Sequence, residues 1–225
     1  MATISAAQVK ALRDRTGAGM MDCKKALIDA DGDEDKAMED IQKKGLAKVA
    51  KKAGAIAAEG MVHAYIHAGS RVGVLVEVNC QTDFVARNDD FKSFVSDVAM
   101  QIASMTPLYV RESDIPEADV EAQAKIFAGQ MEEEARETGK SKPAEATAKI
   151  LEGKIAKWKK ENCLLDQVSI MVEDKKTIGD ICDELSARIG EKISVRRFVR
   201  YELGEGIEKK KVDLAADVAE TLAGS

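Results

Sequence analysis

Three short stretches of the chain place apolar residues at every second position, which is the period of a β-strand with one buried face. The first two, residues 61–67 and 71–79, are separated by Ala68-Gly69-Ser70, a gap of the length of a tight turn. They predict an antiparallel hairpin with one buried face, and residues 193–203 alternate in the same way. The apolar positions that share a face are Val62, Ala64 and Ile66 in the first stretch, Val72, Val74, Val76 and Val78 in the second, and Ile193, Val195, Val199, Tyr201 and Leu203 in the third. Arg196, Phe198 and Arg200 are expected on the opposite face of the third.

The first 55 residues predict a bundle of three short helices. Ser5 and Gln8 have the spacing of a capping box, and the Gly-rich turn at 16–19 separates the first helix from a second over 20–30. A third helix is expected to begin after Asp33 and to stop near Gly45. In the second helix, the residues expected to face the interior of the bundle are Met20, Cys23, Ala26 and Leu27.

Most of the remaining chain has helical spacing, so the fold class is α+β. A helix after the hairpin carries Phe91, Phe94, Val95, Val98 and Ile102. Residues 116–162 predict a helical hairpin interrupted near 138–143, with Trp158 anchoring it on the core. Thr177 to Ile189 is an amphipathic helix, and a last helix is expected over 212–222.

Charge and apolar runs exclude several classes of function. The net charge is −6, whereas non-specific nucleic-acid binding requires a basic surface. No apolar run reaches the roughly 18 residues of a membrane span, and the N-terminal residues lack the order of a signal peptide. We therefore expect a cytoplasmic protein that contacts neither nucleic acid nor membrane.

The residues that could carry catalysis do not form a recognisable site. The cysteines at 23, 80, 163 and 182 match no zinc-site spacing, and we expect them to be reduced and mostly buried. His63 and His67 lack an acidic third metal ligand, and nothing marks Cys80 as an activated nucleophile. We predict a protein that is not an enzyme, with no catalytic residue, bound metal or cofactor.

Phe84 lies between Asp83 and Val85, where the chain turns from strand to helix. Its ring could fold back as a hydrophobic staple, or it could project as an exposed aromatic anchor of the type that dominates interface energies. The residues alone favour neither interpretation.

Three blocks of sequence resemble the elongation factor Ts family, which comprises bacterial translation factors. They are LRDRTGAGMMDCKKAL at 12–27, EVNCQTDFVAR at 77–87 and GEGIEK at 204–209. The resemblance spans essentially the whole chain. It implies a ubiquitin-associated-like three-helix domain at 1–55, an α+β core at 56–205 and a short C-terminal module at 206–225.

The resemblance also implies a function. The family exchanges guanine nucleotides on the GTPase elongation factor Tu, binding its GDP form and promoting GDP release by disturbing the Mg²⁺ and phosphate sites. The residues implied to dislocate Mg²⁺ are Thr82, Asp83, Phe84 and Val85, with Phe84 as the wedge, and those implied to bind the GTPase from the N-terminal domain are Leu12, Met20, Met21 and Lys24. Only one hairpin-plus-helix block is present, as in the short members that pair through the core, so we expect a homodimer with two GTPase molecules.

Two other classes of function compete with this one. A ubiquitin-associated-type adaptor without exchange activity would use residues 1–52 alone. A thiol or metal-dependent enzyme would use Cys80, His63 and His67.

Overall fold

The computed structural model describes residues 4–51, 54, 56–139 and 143–207, with the backbone alone at 46 and 48–51. Over this part of the chain the fold is α+β, as predicted. The helices are α1 (Ala6–Thr16), α2 (Met20–Asp29), α3 (Glu34–Lys51), α4 (Asp83–Ala86), α5 (Asp89–Met105), α6 (Glu117–Thr138), α7 (Ala144–Asn162) and α8 (Ile178–Ile189). The strands are β1 (Glu59–Ile66), β2 (Val72–Cys80) and β3 (Ser194–Glu202).

The strands form an antiparallel sheet in the order β1-β2-β3, which confirms the predicted hairpin. Val74, Val76 and Val78 of β2 are buried, as expected. The apolar alternation of β1 lies on the other side of the sheet, because Val62 pairs with Glu77 and Ala64 with Leu75, and directly paired residues share a face. The residues of β1 that line the core are instead Met61 and Tyr65.

The predicted faces of β3 are wrong beyond Val195. The register shifts between Glu77 and Val78, so that Arg196 is an extra residue opposite β2. Such a bulge reverses the alternation that follows it. Phe198 therefore packs against the core, whereas Val199 and Tyr201 are exposed.

The core lies between this sheet and the helices that cover one of its faces. All five apolar residues predicted for α5 are buried there, and α8 adds Ile178, Cys182 and Leu185. Thr177 caps α8 in a capping box with Asp180, as suits the predicted start of that helix.

The N-terminal helices form a bundle around a core of their own, lined by Val9, Leu12, Cys23, Ala26, Leu27 and Ala37. The predicted capping box of α1 is present. Two expectations are wrong: Met20 is 48% exposed, and α3 continues past Gly45 to Lys51. A Cβ at Gly45 would lie 2.8 Å from that of Ala187 in α8, so a glycine lets α3 and α8 pack closely at this point. This packing outweighs the low helix propensity of glycine, and α3 continues.

Helices α6 and α7 form the predicted helical hairpin, and neither helix contains a fully buried residue. Trp158 packs edge-on against Tyr109, in the segment after α5, with 6.5 Å between the ring centroids. Among the described residues, no helix combines the length and apolar character needed to cross a bilayer. The helix expected over 212–222 lies outside the described residues.

Candidate functional site

The chain turns from strand to helix at the corner formed by residues 82–85. Strand β2 ends at Cys80, and α4 begins at Asp83. Successive residues of a helix point about 100° apart, so this single turn places its side chains in different surroundings. Val85 is buried in the core, whereas Phe84 is 79% exposed. The side chain of Phe84 therefore projects as an exposed anchor and does not fold back as a staple.

Thr82 is held by a residue that the sequence did not single out. Its backbone N–H donates to Oε2 of Glu191 at 3.1 Å, and its hydroxyl donates to Oε1 of the same carboxylate at 2.9 Å. The backbone N–H of Lys192 donates to Oε1 of Gln81 at 3.2 Å. These bonds join the end of β2 to the segment that follows α8.

Asp83 faces solvent and pairs with Arg87 one turn later, at 3.0 Å. An ion pair this exposed contributes little to stability. The carboxylate is therefore accessible to a cation or to a positively charged partner.

The candidate residues of the N-terminal bundle do not form a single surface. Met20, Met21 and Lys24 are exposed along α2, Met21 by 75%. Ile28, four residues after Lys24, is also exposed and extends the same stripe. It was not predicted from the sequence, although its spacing of one helical turn from Lys24 is visible there. Leu12 has no exposed area, so in this structure it supports the bundle from inside.

The bundle and the core are joined at the C-terminal end of α8. A Cβ at Gly17 would lie 2.8 Å from Cγ of Arg188, and Arg188 pairs with Asp90 of α5 at 3.2 Å. A cleft of about 820 Å³ remains between the bundle and helices α5 and α8. The exposed stripe of α2 and the corner at 82–85 are thus carried by elements that meet at this helix end.

Cys80 is a buried hydrogen-bond donor in this corner. Its thiol lies 3.1 Å from the carbonyl oxygen of Thr82, to which it donates. Burial raises the pKa of this thiol, and the negative charge of Glu191 raises it further. A raised pKa disfavours the thiolate, which is the nucleophilic form. All four cysteines are free and buried, as predicted.

The histidines are not placed to bind a metal ion with neighbouring ligands. His67 is exposed, and its Nδ1 lies 3.0 Å from the hydroxyl of Tyr65. Within the described part of the chain, no three His, Cys, Asp or Glu side chains form a group that could hold a metal ion.

Comparison with known proteins identifies a family. The sequence profile described as Elongation factor TS matches residues 21–205. Elongation factor Ts of Desulforamulus reducens is 53% identical over 219 residues, which cover 97% of this chain and 98% of the relative. The proteins of the same name from Carboxydothermus hydrogenoformans and Myxococcus xanthus are each 54% identical, over 96% and 99% of this chain and the same shares of their own lengths. The chain belongs to the elongation factor Ts family.

Proposed function

We propose that this chain is a guanine nucleotide exchange factor of translation elongation, acting in the cytoplasm. It binds elongation factor Tu·GDP and promotes release of GDP by disturbing the Mg²⁺ and phosphate sites of that GTPase. Membership of the family supports the partner, and the exposed ring of Phe84 carries the mechanism. The role is one of binding and not of bond chemistry, so no residue of the chain is assigned as catalytic.

The mechanism follows from linkage. Mg²⁺ and the phosphate-binding loop hold GDP in the GTPase. A partner that binds the nucleotide-free GTPase more tightly than the GDP form must weaken GDP binding by the same factor. Burial of a phenylalanine side chain is worth about 1.5–3 kcal/mol, and Phe84 gains it only when the Mg²⁺-holding elements of the GTPase move apart to admit the ring. GDP release becomes faster, while the overall equilibrium between GDP and GTP is unchanged.

The rest of the corner has supporting roles in this proposal. Asp83 presents an exposed carboxylate beside the wedge, where it can compete for Mg²⁺ or for a cationic group of the GTPase. Val85 anchors the turn in the core, and Thr82 fixes its start. Met20, Met21 and Lys24 bind the GTPase from the N-terminal bundle, and Leu12 contributes by packing in the core of that bundle.

The two separate apolar cores support a division of the chain into a ubiquitin-associated-like domain at 1–55 and a core domain at 56–205. Residues 206–225 complete the proposal as a C-terminal module, of which 208–225 lie outside the described residues.

Phe84→Ala tests the wedge. The side chain is exposed, so the variant should fold normally, but release of a fluorescent GDP analogue from elongation factor Tu should slow by about tenfold or more at saturating variant. Ile126→Ala is the matched control, because Ile126 is also a large exposed apolar residue but lies on α6. Wild-type release rates with Phe84→Ala would contradict the wedge assignment.

The exposed apolar stripe of α2 favours a second candidate, a ubiquitin-associated-type adaptor that binds protein partners without exchange. The two functions differ in a measurement on the unmodified chain. An adaptor would bind its partner and leave the rate of GDP release unchanged, whereas an exchange factor must accelerate it.

We also propose that two chains pair through the outer face of the sheet, giving a complex with two GTPase molecules. This face carries apolar side chains on all three strands: Val62 and Ile66 on β1, Leu75 on β2, and Val199 and Tyr201 on β3. Among the described residues, no helix packs over it. The ion-paired Glu77, Arg196 and Arg197 lie on the same face. Apolar side chains on both faces of a sheet need a covering layer on each, and a second copy of the same face provides one.

A further inference from the structure

We propose that Glu191 is a positioning residue that orients the corner at 82–85, and with it Phe84. The inference rests on the proposed exchange function. Glu191 is 109 residues from Thr82 in sequence, yet both oxygens of its carboxylate accept hydrogen bonds from that residue. Hydrogen bonds to an ionised carboxylate are stronger than those between neutral groups. A pair from one residue fixes both its backbone and its side chain.

The start of α4 depends on this outside support. Thr82 is the N-cap of α4, a position at which threonine ordinarily accepts a hydrogen bond from the first turn. Its side chain makes no such bond here and instead donates to Glu191. A helix of four residues is too short to be stable by itself. The contact between Thr82 and Glu191 therefore sets the direction in which Phe84 points, together with the burial of Val85 and the hydrogen bond from the thiol of Cys80 to the carbonyl of Thr82.

The backbone on both sides of Glu191 is fixed by hydrogen bonds at the end of α8. Gly190 ends the helix in the left-handed conformation, and its N–H donates to the carbonyl of Ser186 at 2.8 Å. On the other side, the N–H of buried Ile193 donates to the hydroxyl of Ser186 at 3.1 Å. Fixed backbone on both sides places Glu191 where its carboxylate can reach Thr82.

This geometry separates the effect of Glu191 from the effect of the residues that bind the GTPase. The stripe of Met20, Met21 and Lys24 lies on α2, whereas the carboxylate of Glu191 is bonded to Thr82 at the end of β2. Loss of the carboxylate should let the corner reorient while the N-terminal surface stays intact. The rate of GDP release at saturating factor should therefore fall, and the concentration needed for half-saturation should change little.

The test compares Glu191→Ala and Glu191→Gln in the full-length chain. Glu191→Ala should slow GDP release from elongation factor Tu about tenfold at saturation, with half-saturation within twofold of wild type. Glu191→Gln keeps one acceptor oxygen and should restore part of the rate. Glu184→Ala is the control, because it removes a carboxylate of α8 that pairs with Lys176 and not with the corner.

A spectroscopic measurement makes the test independent of exchange. The chain has five phenylalanines, so incorporation of 4-fluorophenylalanine gives five fluorine resonances, and the spectrum of Phe84→Ala identifies that of Phe84. Glu191→Ala should move this resonance and leave the other four in place. An unmoved resonance with wild-type release would overturn the proposal.

The remaining outcomes also decide between the positioning role of Glu191 and its absence. If Glu191→Ala does not fold, Glu191→Gln and Thr82→Val are judged by the same resonance: a shift supports positioning, and no shift contradicts it. If the resonance moves while Phe84→Ala exchanges nucleotide normally, the positioning role stands and the wedge function fails.

Discussion

Glu77 lies between two arginines on the outer face of the sheet. Its carboxylate oxygens are 2.7 Å from Nη1 of Arg196 and 2.6 Å from Nε of Arg197. Consecutive side chains of a regular strand point to opposite faces. The bulge allows Arg196 and Arg197 to reach the same carboxylate, because the extra residue breaks this alternation. The two guanidinium groups, aided by Asn79, lower the pKa of Glu77 from its ordinary 4.5 to about 2.

Glu77→Gln should lower the stability of the chain in a pH-dependent manner. A folded-state pKa below the unfolded one stabilises the folded state above pH 4.5, and this contribution is lost as the pH falls towards 2. Urea denaturation at one protein concentration should therefore show the variant less stable than wild type at pH 7, with a smaller difference at pH 3. Glu205→Gln, in an exposed loop, is the control. An equal difference at both pH values would contradict the role of the ion pairs.

Phe84 shows which part of the site the sequence could not predict. Its position at a strand-to-helix corner was evident from the pattern, but a staple and an anchor have the same local sequence. The burial of Val85 and the hold of Glu191 on Thr82 decide between them. Both depend on contacts with residues distant in the chain, which local periodicity does not report.

In strand β3, contacts with distant residues likewise decide a feature that local periodicity does not report. Its existence and length were predictable from alternation, and so were α5, α8 and the hairpin of β1 and β2. The bulge at Arg196 was not, because two consecutive arginines are compatible with either face until their partner Glu77 is known. The shift exchanges the environments of Phe198 and Val199, so one extra residue changes which side chains reach the core.

The contact between α3 and α8 can be tested at Gly45. In an open helix, Gly→Ala stabilises by roughly 0.5–1 kcal/mol. A Cβ at Gly45 would be 2.8 Å from that of Ala187, a separation at which the helices must move apart, and such overpacking typically costs about 1–3 kcal/mol. Gly45→Ala should therefore lower the free energy of unfolding in urea.

Matched controls lie in the helical hairpin. A Cβ added at Gly129 in α6 or at Gly153 in α7 would have no heavy atom within 4 Å beyond the backbone of its own helix, so alanine should stabilise at each position by the amount expected for an open helix. A rise in stability at Gly45 equal to that at Gly129 would show that α3 and α8 do not pack closely in solution.

On the scale of the whole molecule, the arrangement of the parts follows from the few residues that join them. The N-terminal bundle and the sheet with its covering helices have separate cores that periodicity predicted well. Their junction includes Gly17, Gly45, Ala187 and Arg188, and no pattern of apolar spacing identifies small residues as a contact. The same end of α8 continues into Glu191, so one helix end supports both proposed GTPase-binding surfaces.

The proposed pairing of two chains through the outer face of the sheet can be tested at two exposed residues. Ile66 and Tyr201 are 63% and 71% exposed and flank Gly73 on neighbouring strands. Because a charge buried at an interface is costly, Ile66→Lys with Tyr201→Lys should convert a species of twice the 24.3 kDa chain mass into one of the chain mass itself in sedimentation equilibrium. Ile126→Lys on α6 should leave the mass unchanged. A wild-type chain that sediments as a monomer at micromolar concentration would refute pairing through this face.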